Sequence, residues 1–405
     1  SRGSIQILDV KGGKSKRISV KGEMQTSATA QREAMLEHIY IRTKNIFYTP
    51  DFHGADWDAL TEAYRPLVSH TGNSYEFAEL VSELIGELNV SHAGARYSGS
   101  TDMPDETASL GIFRDYEHQG DGILIAEIMR GGPLDKAALN VQPGMIILAI
   151  NGSPITPDID DAQLLNRIAG TFTQLEILNP EQNTRSQITV KPITQREEFS
   201  LLYERHIDIN EREVTEKSDG RLGYVHIPGM GDGPYRDIIQ DILGRFDDRE
   251  AVIVDTRFNG GGDLVADLAM FFTGIKFNSY SIYDRDIGGE PTSRWTKPTL
   301  SLFNESMYSD GHCYASAYTE LEIGISVGMP VPGTCSWAGW ERLPDGTRWG
   351  VVPVSAKNMS GEWMENNQTE PQVLVKNEPG VIAAGRDQQL EEGIRLLLEQ
   401  VDSER

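Results

Sequence analysis

The sequence predicts a multidomain α/β protein, because three stretches of the 405-residue chain carry three different patterns. Residues 27–88 show helical periodicity, with apolar side chains recurring every three or four positions. Residues 108–193 place many glycines between short apolar runs, which is typical of a small β-rich domain. From residue 221 onward strand and helix patterns alternate, which predicts an α/β core with a mainly parallel sheet.

The bulk composition suits a soluble globular protein and argues against two classes of partner. Hydrophobic residues make up 39% and charged residues 24% of the chain. No run approaches the roughly 18 apolar residues that a membrane span requires. The net charge of −24 would repel the phosphates of nucleic acid and of an anionic lipid surface. We therefore expect neither nucleic acid binding nor a membrane span.

Cysteine usage and the first residues leave the cellular compartment open. Cys313 and Cys335 are too few for a disulfide framework or a zinc site, and one bridge or two free thiols are both compatible with the sequence. Ser1 opens directly into polar, strand-like sequence without a signal peptide, as a mature or truncated secreted chain also would. A periplasmic or secreted mature chain is slightly favoured over a cytoplasmic one.

The first part of the chain predicts a hairpin followed by a helical domain. Residues 4–20 read as two alternating strands around a Gly-Gly turn, and a lone hairpin is only marginally stable in water. We assign residues 1–24 to this hairpin and its linker, and residues 25–103 to the helical domain. The last helical pattern ends near Asn89, so Ser91 and His92 lie in the loop that follows it.

The glycine-rich stretch, residues 104–194, contains a hydrophobic-Gly-hydrophobic loop formed by Leu110, Gly111, Ile112 and Phe113. A Gly-Pro…Ala-Leu helix and the strand and turn Gly-Met-Ile-Ile-Leu-Ala-Ile-Asn-Gly follow that loop. This pattern resembles a PDZ domain. The resemblance implies that an extended peptide adds as a β-strand along the loop, and a module that only orients domains with an empty groove is the alternative.

Residues 195–405 are predicted to form the α/β core. The charged stretch 194–220 has no clear period, and we interpret it as a connecting segment. The alternation then begins with a strand over 222–227 and a helix over 235–246, and a continuous apolar strand over 251–255 reads as buried on both faces. A helix over 387–401 ends the core.

Two turns of this core carry candidate catalytic groups. The glycines after Asn259 lack the Lys-Ser/Thr of a nucleotide-binding loop, but they allow backbone N–H groups to approach developing negative charge. Ser309 lies in a polar turn between a short strand and a small-residue helix, where a hydroxyl can project from the edge of a sheet. The next N–H, that of Asp310, is then left free to bind an anion. By itself, this stretch favours an ordinary turn with a solvated serine, so the case for catalysis depends on partners elsewhere.

Taken in order, these features resemble the tail-specific proteases of peptidase family S41, and within them the C-terminal half of the tricorn proteases. The landmarks are the helical domain ending in Ser91-His92, the PDZ-like domain, the glycine turn, Asn304 five residues before Ser309, and Glu365-Asn366 ahead of Glu370-Pro371. The resemblance covers most of the chain. It implies a ClpP/crotonase-like core, suggests that residues 1–24 are the remnant of a β-propeller, and leaves a homo-oligomer open.

The resemblance also implies a Ser-His-Ser-Glu tetrad. Ser309 would attack the scissile carbonyl, and His92 would take its proton and return it to the leaving amine. Ser91 would bridge His92 to Glu365. The backbone N–H groups of Gly261 and Asp310 would hold the oxyanion, with Gly260 as the alternative to Gly261. No lysine follows Gly333-Thr334, where many relatives carry the base of a Ser/Lys dyad, and this favours His92 as the base.

The predicted function is therefore a serine protease that cleaves peptides or unfolded protein segments, without a cofactor or a metal. No His-x-x-x-His spacing or His/Asp cluster indicates a metal hydrolase. The alternative is a non-catalytic peptide- or small-ligand-binding protein on the same scaffold, since the family includes retinoid-binding members. Asp255 and Arg257 are predicted to form a structural pair, and His226 and His312 to serve structure rather than catalysis.

Overall fold

A computed structural model gives the fold and describes residues 5–19, 22, 25–99 and 105–405. The α-helices are α1 (Ala28–Ile46), α2 (Trp57–Tyr64), α3 (Ser74–Gly86), α4 (Ala162–Leu165), α5 (Gln195–Lys217), α6 (Asp232–Gln240), α7 (Val265–Thr273), α8 (Asp310–Glu320) and α9 (Gln388–Ser403). In the described ranges, none of the helices has both the length and the apolar character that crossing a bilayer requires.

The strands range in length from two to eight residues. They are β1 (Gln6–Asp9), β2 (Lys14–Arg17), β3 (Gly94–Arg96), β4 (Ile112–Arg114), β5 (Ile123–Ile128), β6 (Ile146–Ile150), β7 (Ser153–Pro154), β8 (Thr173–Asn179), β9 (Thr184–Val190), β10 (Leu222–His226), β11 (Ala251–Asp255), β12 (Asn278–Ile282), β13 (Arg285–Glu290), β14 (Thr299–Phe303), β15 (Ile325–Gly328), β16 (Ser336–Arg342), β17 (Arg348–Ser355) and β18 (Val373–Leu374).

The chain divides into two compact units. The first contains the residues up to Ser98 together with Trp337–Val354, and the second contains Gly99–Ser336 and Ser355–Arg405. The hairpin of β16 and β17 therefore belongs mainly to the helical unit, whereas the sequence assigned it to the core. The reason is packing, because Leu343, Trp349 and Val351 are buried in the apolar cluster that the helices form.

In the first unit, three capped helices surround an apolar core. The side chains of Ser27, Asp56 and Asn73 each accept a backbone N–H at the start of α1, α2 and α3, as N-caps do. The antiparallel hairpin of β1 and β2 is fully exposed, and the ends of the predicted stretch, Ser4 and Val20, lie outside the described residues. The loop between α3 and β3 carries Ser91 and His92, as predicted.

The β-rich domain of the second unit is an antiparallel sheet in the order β4-β5-β6-β8-β9, with β7 beside β6. Its core is made of alternating inward side chains such as Ile125, Ile147 and Leu175. The helix predicted near Gly132-Pro133 is only a single 3-10 turn, Ala137–Leu139. Asn140 adopts the left-handed conformation directly after it and ends the turn.

The interpretation of residues 194–220 as a connecting segment is wrong, because most of this stretch forms the 23-residue helix α5. A capping box starts the helix: the Thr194 side chain accepts the Glu197 N–H, and the Glu197 carboxylate accepts the Thr194 N–H. Only Asn210 and Val214 are fully buried, so the apolar period is too sparse to be read from the sequence.

The core is a five-stranded parallel sheet in the order β10-β11-β14-β15-β18, which confirms the predicted α/β class. Successive side chains of β11 point to opposite faces: Val252 and Val254 pack with α6, α7 and α8, and Ala251 and Ile253 pack with α5 and α9. Because the strands are parallel, the turns after β11 and β14 leave the sheet at the same edge. That edge is where α/β proteins place their sites.

Candidate active site

The turn between β14 and α8 holds Ser309 in a strained backbone conformation. Ser309 has φ 58° and ψ −124°, a region that a residue with a Cβ adopts only when its surroundings enforce it. Asn304 Oδ1 stabilises the start of this turn by accepting the Phe258 N–H at 2.9 Å. A strained serine between a strand and a helix is the arrangement found in nucleophile elbows.

Gly261 packs directly against the Ser309 turn. A Cβ on Gly261 would lie 2.5 Å from Ser309 Cβ and 2.8 Å from Tyr308 O, which leaves no room for a side chain. Gly261 also has φ +88°, which favours glycine. The Tyr308 N–H donates to Asn259 O at 2.9 Å, so the two turns contact each other backbone to backbone.

The backbone N–H groups at this contact differ in their partners. The Gly261 N–H donates to Asn259 Oδ1 at 2.8 Å, and the Gly260 N–H donates to Pro228 O at 3.2 Å. Within the described ranges, no protein acceptor is assigned to the Asp310 N–H. Asn259 is itself fixed, because its Nδ2 donates to Ile227 O at 2.8 Å. Of the predicted oxyanion donors, Asp310 is therefore the one with an unengaged N–H.

The Asp310 side chain joins the serine turn to the next helix. Its Oδ2 accepts the N–H groups of Leu264 at 2.6 Å and of Val265 at 3.2 Å, at the start of α7. Burial raises the pKa of this carboxyl, while the two backbone N–H groups act in the opposite direction. The sequence predicted a role only for the Asp310 backbone, so this anchoring is an additional function of the residue.

A buried imidazole fixes the loop that holds the Ser309 backbone. The Ser309 N–H donates to Thr334 Oγ1 at 2.9 Å. His312 Nδ1 accepts the N–H groups of Thr334 at 3.0 Å and of Cys335 at 3.1 Å, so its proton lies on Nε2, 3.0 Å from Thr369 Oγ1. His312 is 1% exposed, and burial lowers its pKa to about 4. As predicted, His312 has a structural role.

The same loop is joined covalently to α8. Cys313 and Cys335 form a disulfide across 22 positions of sequence, which resolves the alternatives that the sequence left open. Cys313 follows His312, and Cys335 follows Thr334. The disulfide and the His312 imidazole therefore connect the same two segments, the loop at Thr334 and helix α8. Helix α8 begins directly after Ser309.

Glu365 is a buried carboxylate and not a surface one. It is 4% exposed, and the Ser336 hydroxyl donates to its Oε2. Ser336 Oγ also lies 3.0 Å from Ser355 Oγ. No sequence pattern singles out Ser336 or Ser355, and only the fold brings Ser336 to Glu365 and Ser355 to Ser336.

Ser91 and His92 form a hydrogen-bonded pair in the first unit. Ser91 Oγ and His92 Nδ1 are 2.7 Å apart, and His92 has a positive φ of 55°. Ser309, Asp310, Gly261 and Glu365 all belong to the second unit. The structure thus brings Ser309 together with Gly261 and Asp310, and it pairs Ser91 with His92. The tetrad itself stays a prediction.

The predicted pair of Asp255 and Arg257 is confirmed and is part of a larger buried network. Arg257 Nη2 lies 2.6 Å from Asp255 Oδ2, and Nη1 lies 2.7 Å from Asp387 Oδ2. Despite the opposing effect of burial, the neighbouring guanidinium lowers the pKa of Asp255 to about 2. Asp387 also caps α9 by accepting the Gln389 and Leu390 N–H groups, so this network ties the end of β11 to the C-terminal helix.

The predicted PDZ groove lies at the edge strand β4. Leu110 is buried and Gly111 has φ +65°, as the turn into β4 requires. The Gly111 N–H donates to Ser109 Oγ at 2.9 Å. Helix α5 lies beside this loop, since the Arg205 guanidinium is 5.0 Å from the centre of the Phe113 ring. Peptide binding by this groove stays a prediction.

Profiles of three known domain families match the chain in sequence order. The Tricorn protease C1 domain matches residues 28–86, the Tricorn protease PDZ domain matches residues 118–195, and Peptidase family S41 matches residues 221–375. The last match contains both the glycine turn and the Ser309 turn. Residues 221–375 thus match peptidase family S41, and the two domains before them match domains of the tricorn proteases.

Tricorn relatives from bacteria and archaea are similar along most of this chain. Tricorn protease homolog 1 of Streptomyces coelicolor is 30% identical over 375 residues, which are 87% of this chain and 34% of that protein. The Tricorn protease of Thermoplasma acidophilum is 26% identical over 366 residues, which are 85% of this chain and 32% of that protein. The chain thus spans about a third of the length of these two relatives.

A solved structure supports the fold of this chain over nearly its whole length. The crystal structure of the tricorn protease superposes with a TM-score of 0.85 at 20% sequence identity, over 99% of this chain and 40% of that one. At this level of identity the likeness shows the fold. It agrees with the helical region, the PDZ-like sheet and the parallel core described above.

Proposed function

We propose that this chain carries the catalytic centre of a serine peptidase, with Ser309 as its nucleophile. The observation that carries the proposal is the strained Ser309 turn, against which the backbone of Gly261 packs without space for a side chain. Such strain costs about 1–3 kcal/mol, so it persists only where the surroundings maintain it. In an S41 chain, the use of that strain is to present the hydroxyl to a substrate carbonyl.

The proposed reaction is acyl transfer in two steps. Ser309 Oγ bonds to the carbonyl carbon while its proton passes to His92, and the carbonyl oxygen becomes an oxyanion. The C–N bond then breaks, and His92 returns the proton to the leaving amine. Water repeats the attack on the acyl-enzyme and releases Ser309. The assignment of His92 rests on the tricorn sequence pattern and on the absence of a lysine after Thr334.

We propose that Ser91 sets the tautomer of the His92 imidazole. A base that accepts the serine proton at Nε2 must carry its own hydrogen on Nδ1. The 2.7 Å distance between His92 Nδ1 and Ser91 Oγ suits an N–H donated to that hydroxyl. Glu365 would accept the Ser91 hydroxyl in turn, and its burial supports a role beyond that of a solvated side chain.

For the oxyanion, we propose the Asp310 N–H as the principal donor and the Gly261 N–H as the second. The Gly261 N–H is bonded to the amide oxygen of Asn259, so an oxyanion would have to share or replace that acceptor. A negatively charged oxygen accepts a stronger hydrogen bond than a neutral amide does. Loss of one such donor costs about 10²–10³ in turnover in a serine protease.

The substrates that we propose are peptides or unfolded protein segments. The relatives are described as tricorn proteases, which supports a peptide bond as the bond that is cleaved. The antiparallel edge strand β4 supports binding of extended chains, since an edge strand can pair with another strand.

Labelling with a fluorophosphonate probe tests this function. We expect the wild-type protein to be labelled and the Ser309→Ala variant not to be. Ser306→Ala, which removes an exposed serine of the same turn, is the matched control and should be labelled like wild type. Labelling that survives Ser309→Ala would remove Ser309 as the nucleophile. A folded wild-type protein that neither reacts nor hydrolyses peptides would favour the binding-protein alternative.

A further inference from the structure

A cavity of about 740 Å³ lies within the second unit, at the edge of the parallel sheet where the turns after β11 and β14 leave it. One wall is formed by α5, and the others come from those turns and from the segment that precedes α9. We call this space the α5 cavity. Its volume falls in the range of about 300–1,000 Å³ that is typical of ligand sites.

The walls and mouth of the α5 cavity are largely apolar. Phe199 and Leu202 line it from α5, and Phe258, Met329 and Ile382 line it from the core. Phe199 is 68% exposed and Phe258 is 64% exposed, although both are large apolar side chains. A bound apolar group would remove such surface from water, at about 25 cal/mol per Å².

Several polar groups of the cavity already have protein partners. His226 Nε2 donates a hydrogen bond to Arg257 O at 3.0 Å. The Tyr203 hydroxyl donates one to His226 Nδ1 at 2.8 Å. The Arg257 guanidinium is neutralised by the two buried carboxylates described above. At the rim, Lys376 and Glu305 carry opposite charges. The large apolar side chains that line the cavity therefore favour an apolar ligand.

The cavity also lies close to the Ser309 turn. Phe258 precedes Gly261 by three residues, so their Cα atoms are at most about 11 Å apart. Gly261 in turn abuts Ser309. An extended peptide advances about 3.3 Å per residue. A peptide held at Ser309 could therefore place a side chain in the cavity three or four residues from the bond that is cleaved.

We propose that the α5 cavity is a specificity pocket that receives a large apolar side chain of the substrate, three or four residues from the scissile bond. This inference rests on the proposed peptidase function and adds a substrate preference to it. Under this proposal, α5 forms one wall of the substrate site. Leu202 and Phe199 are the side chains of α5 that contact the substrate.

The test uses peptides that carry either Phe or Ala at each of the four positions on both sides of the cleaved bond. Hydrolysis by the wild-type chain gives kcat/KM, and anisotropy of the same labelled peptides on Ser309→Ala gives Kd without turnover. Leu202→Trp fills the cavity, and Phe199→Ala removes part of its mouth. Ile209→Trp adds the same bulk two turns farther along α5, outside the cavity, and is the matched control.

We expect a preference for Phe over Ala at the third or fourth position, of about ten- to a hundredfold in kcat/KM. Leu202→Trp should abolish this preference, Phe199→Ala should reduce it, and Ile209→Trp should leave it intact. With Ile209→Trp the Ala peptide should change less than about twofold. Labelling of Ser309 by the fluorophosphonate probe in each variant separates loss of the pocket from loss of the fold.

A preference that survives Leu202→Trp and Phe199→Ala, or that is absent at these positions in the wild type, would overturn the inference. The binding measurement separates it from the proposed function. If the wild-type chain hydrolyses nothing and Ser309→Ala still binds Phe peptides in a Leu202-dependent way, the peptidase proposal fails and the pocket stands. Binding that shows no difference between Phe and Ala peptides would overturn the pocket whatever the hydrolysis shows.

Discussion

Gly261 and Gly260 are neighbours in sequence, but their surroundings differ sharply. A Cβ on Gly261 would lie 2.5 Å from Ser309 Cβ, whereas a Cβ on Gly260 would meet nothing within 4 Å. Gly261 also has a positive φ, which Ala adopts only at a cost. At the scale of single residues, the position of Ser309 therefore depends on the absence of one methyl group.

We expect Gly261→Ala to lower kcat/KM by at least about a hundredfold, because the new methyl group must displace Ser309 or the Asp310 N–H from its position. Hydrolysis of an internally quenched peptide measures the effect. Gly260→Ala keeps its N–H and adds its methyl group to open space, so it should stay within a few-fold of wild type. Equal losses in both variants would indicate a general loss of loop flexibility, and not displacement of Ser309.

At the scale of elements, helix α8 and the loop around Thr334 act as one piece. The Cys313–Cys335 disulfide and the hydrogen bonds to His312 Nδ1 join them, and Thr334 in turn accepts the Ser309 N–H. The imidazole accepts two backbone N–H groups only while Nδ1 is unprotonated. The conformation of the serine turn is therefore linked to the protonation state of His312, which has no role in the proposed reaction.

This linkage predicts a pH dependence of stability. The pKa of His312 is lowered from 6.5 to about 4, so between these values the unfolded chain binds a proton that the folded chain does not. The contribution of neutral His312 to the free energy of unfolding is complete above pH 6.5. It is lost as the pH falls toward 4, at about 1.4 kcal/mol per pH unit. From pH 7 to pH 4, the free energy of unfolding should fall by about 3 kcal/mol more in wild type than in His312→Asn.

Denaturant unfolding at a series of pH values measures this difference. Asn keeps an acceptor for the loop N–H groups but does not titrate. The informative quantity is therefore the slope of the free energy of unfolding with pH, and not its absolute value at pH 7. His70→Asn removes an exposed imidazole and is the control, with a slope expected to match wild type. A His312→Asn slope equal to that of wild type would contradict the prediction.

At the scale of the whole molecule, the proposed reaction combines groups from two compact units. His92 and Ser91 belong to the unit built from the helical domain and Trp337–Val354, and Ser309 belongs to the other. If both act on one proton transfer, removing either group removes the same step. His92→Ala and Ser309→Ala should then each lower kcat by about 10⁴ or more, and the double variant should be no slower than the worse single variant.

Steady-state hydrolysis by the three variants measures this non-additivity, and His118→Ala, in the PDZ-like domain, is the control for loss of an imidazole. Activity of His92→Ala near that of wild type would reject His92 as the base. Additive losses would indicate that the two side chains act in separate steps.

Local patterns alone identified most of the elements. The strand and helix periods predicted the parallel core, and glycines after a buried strand indicated a turn that approaches its neighbours closely. The Ser309 turn could be recognised because a strand, a polar turn and a small-residue helix follow one another in sequence. Helix α5 was missed because its stabilisation is charged and local: a capping box starts it, and only Asn210 and Val214 are fully buried.

The sequence by itself determined the α/β class, the order of the domains and the candidate nucleophile, because each depends on residues that are close together in the chain. Only the tertiary structure decided that Thr334 and His312 hold the Ser309 backbone, that Ser336 meets Glu365, and that α5 walls a cavity beside the glycine turn. The three hydrogen bonds join residues 22 to 29 positions apart, and no local pattern encodes which distant segments will pack together.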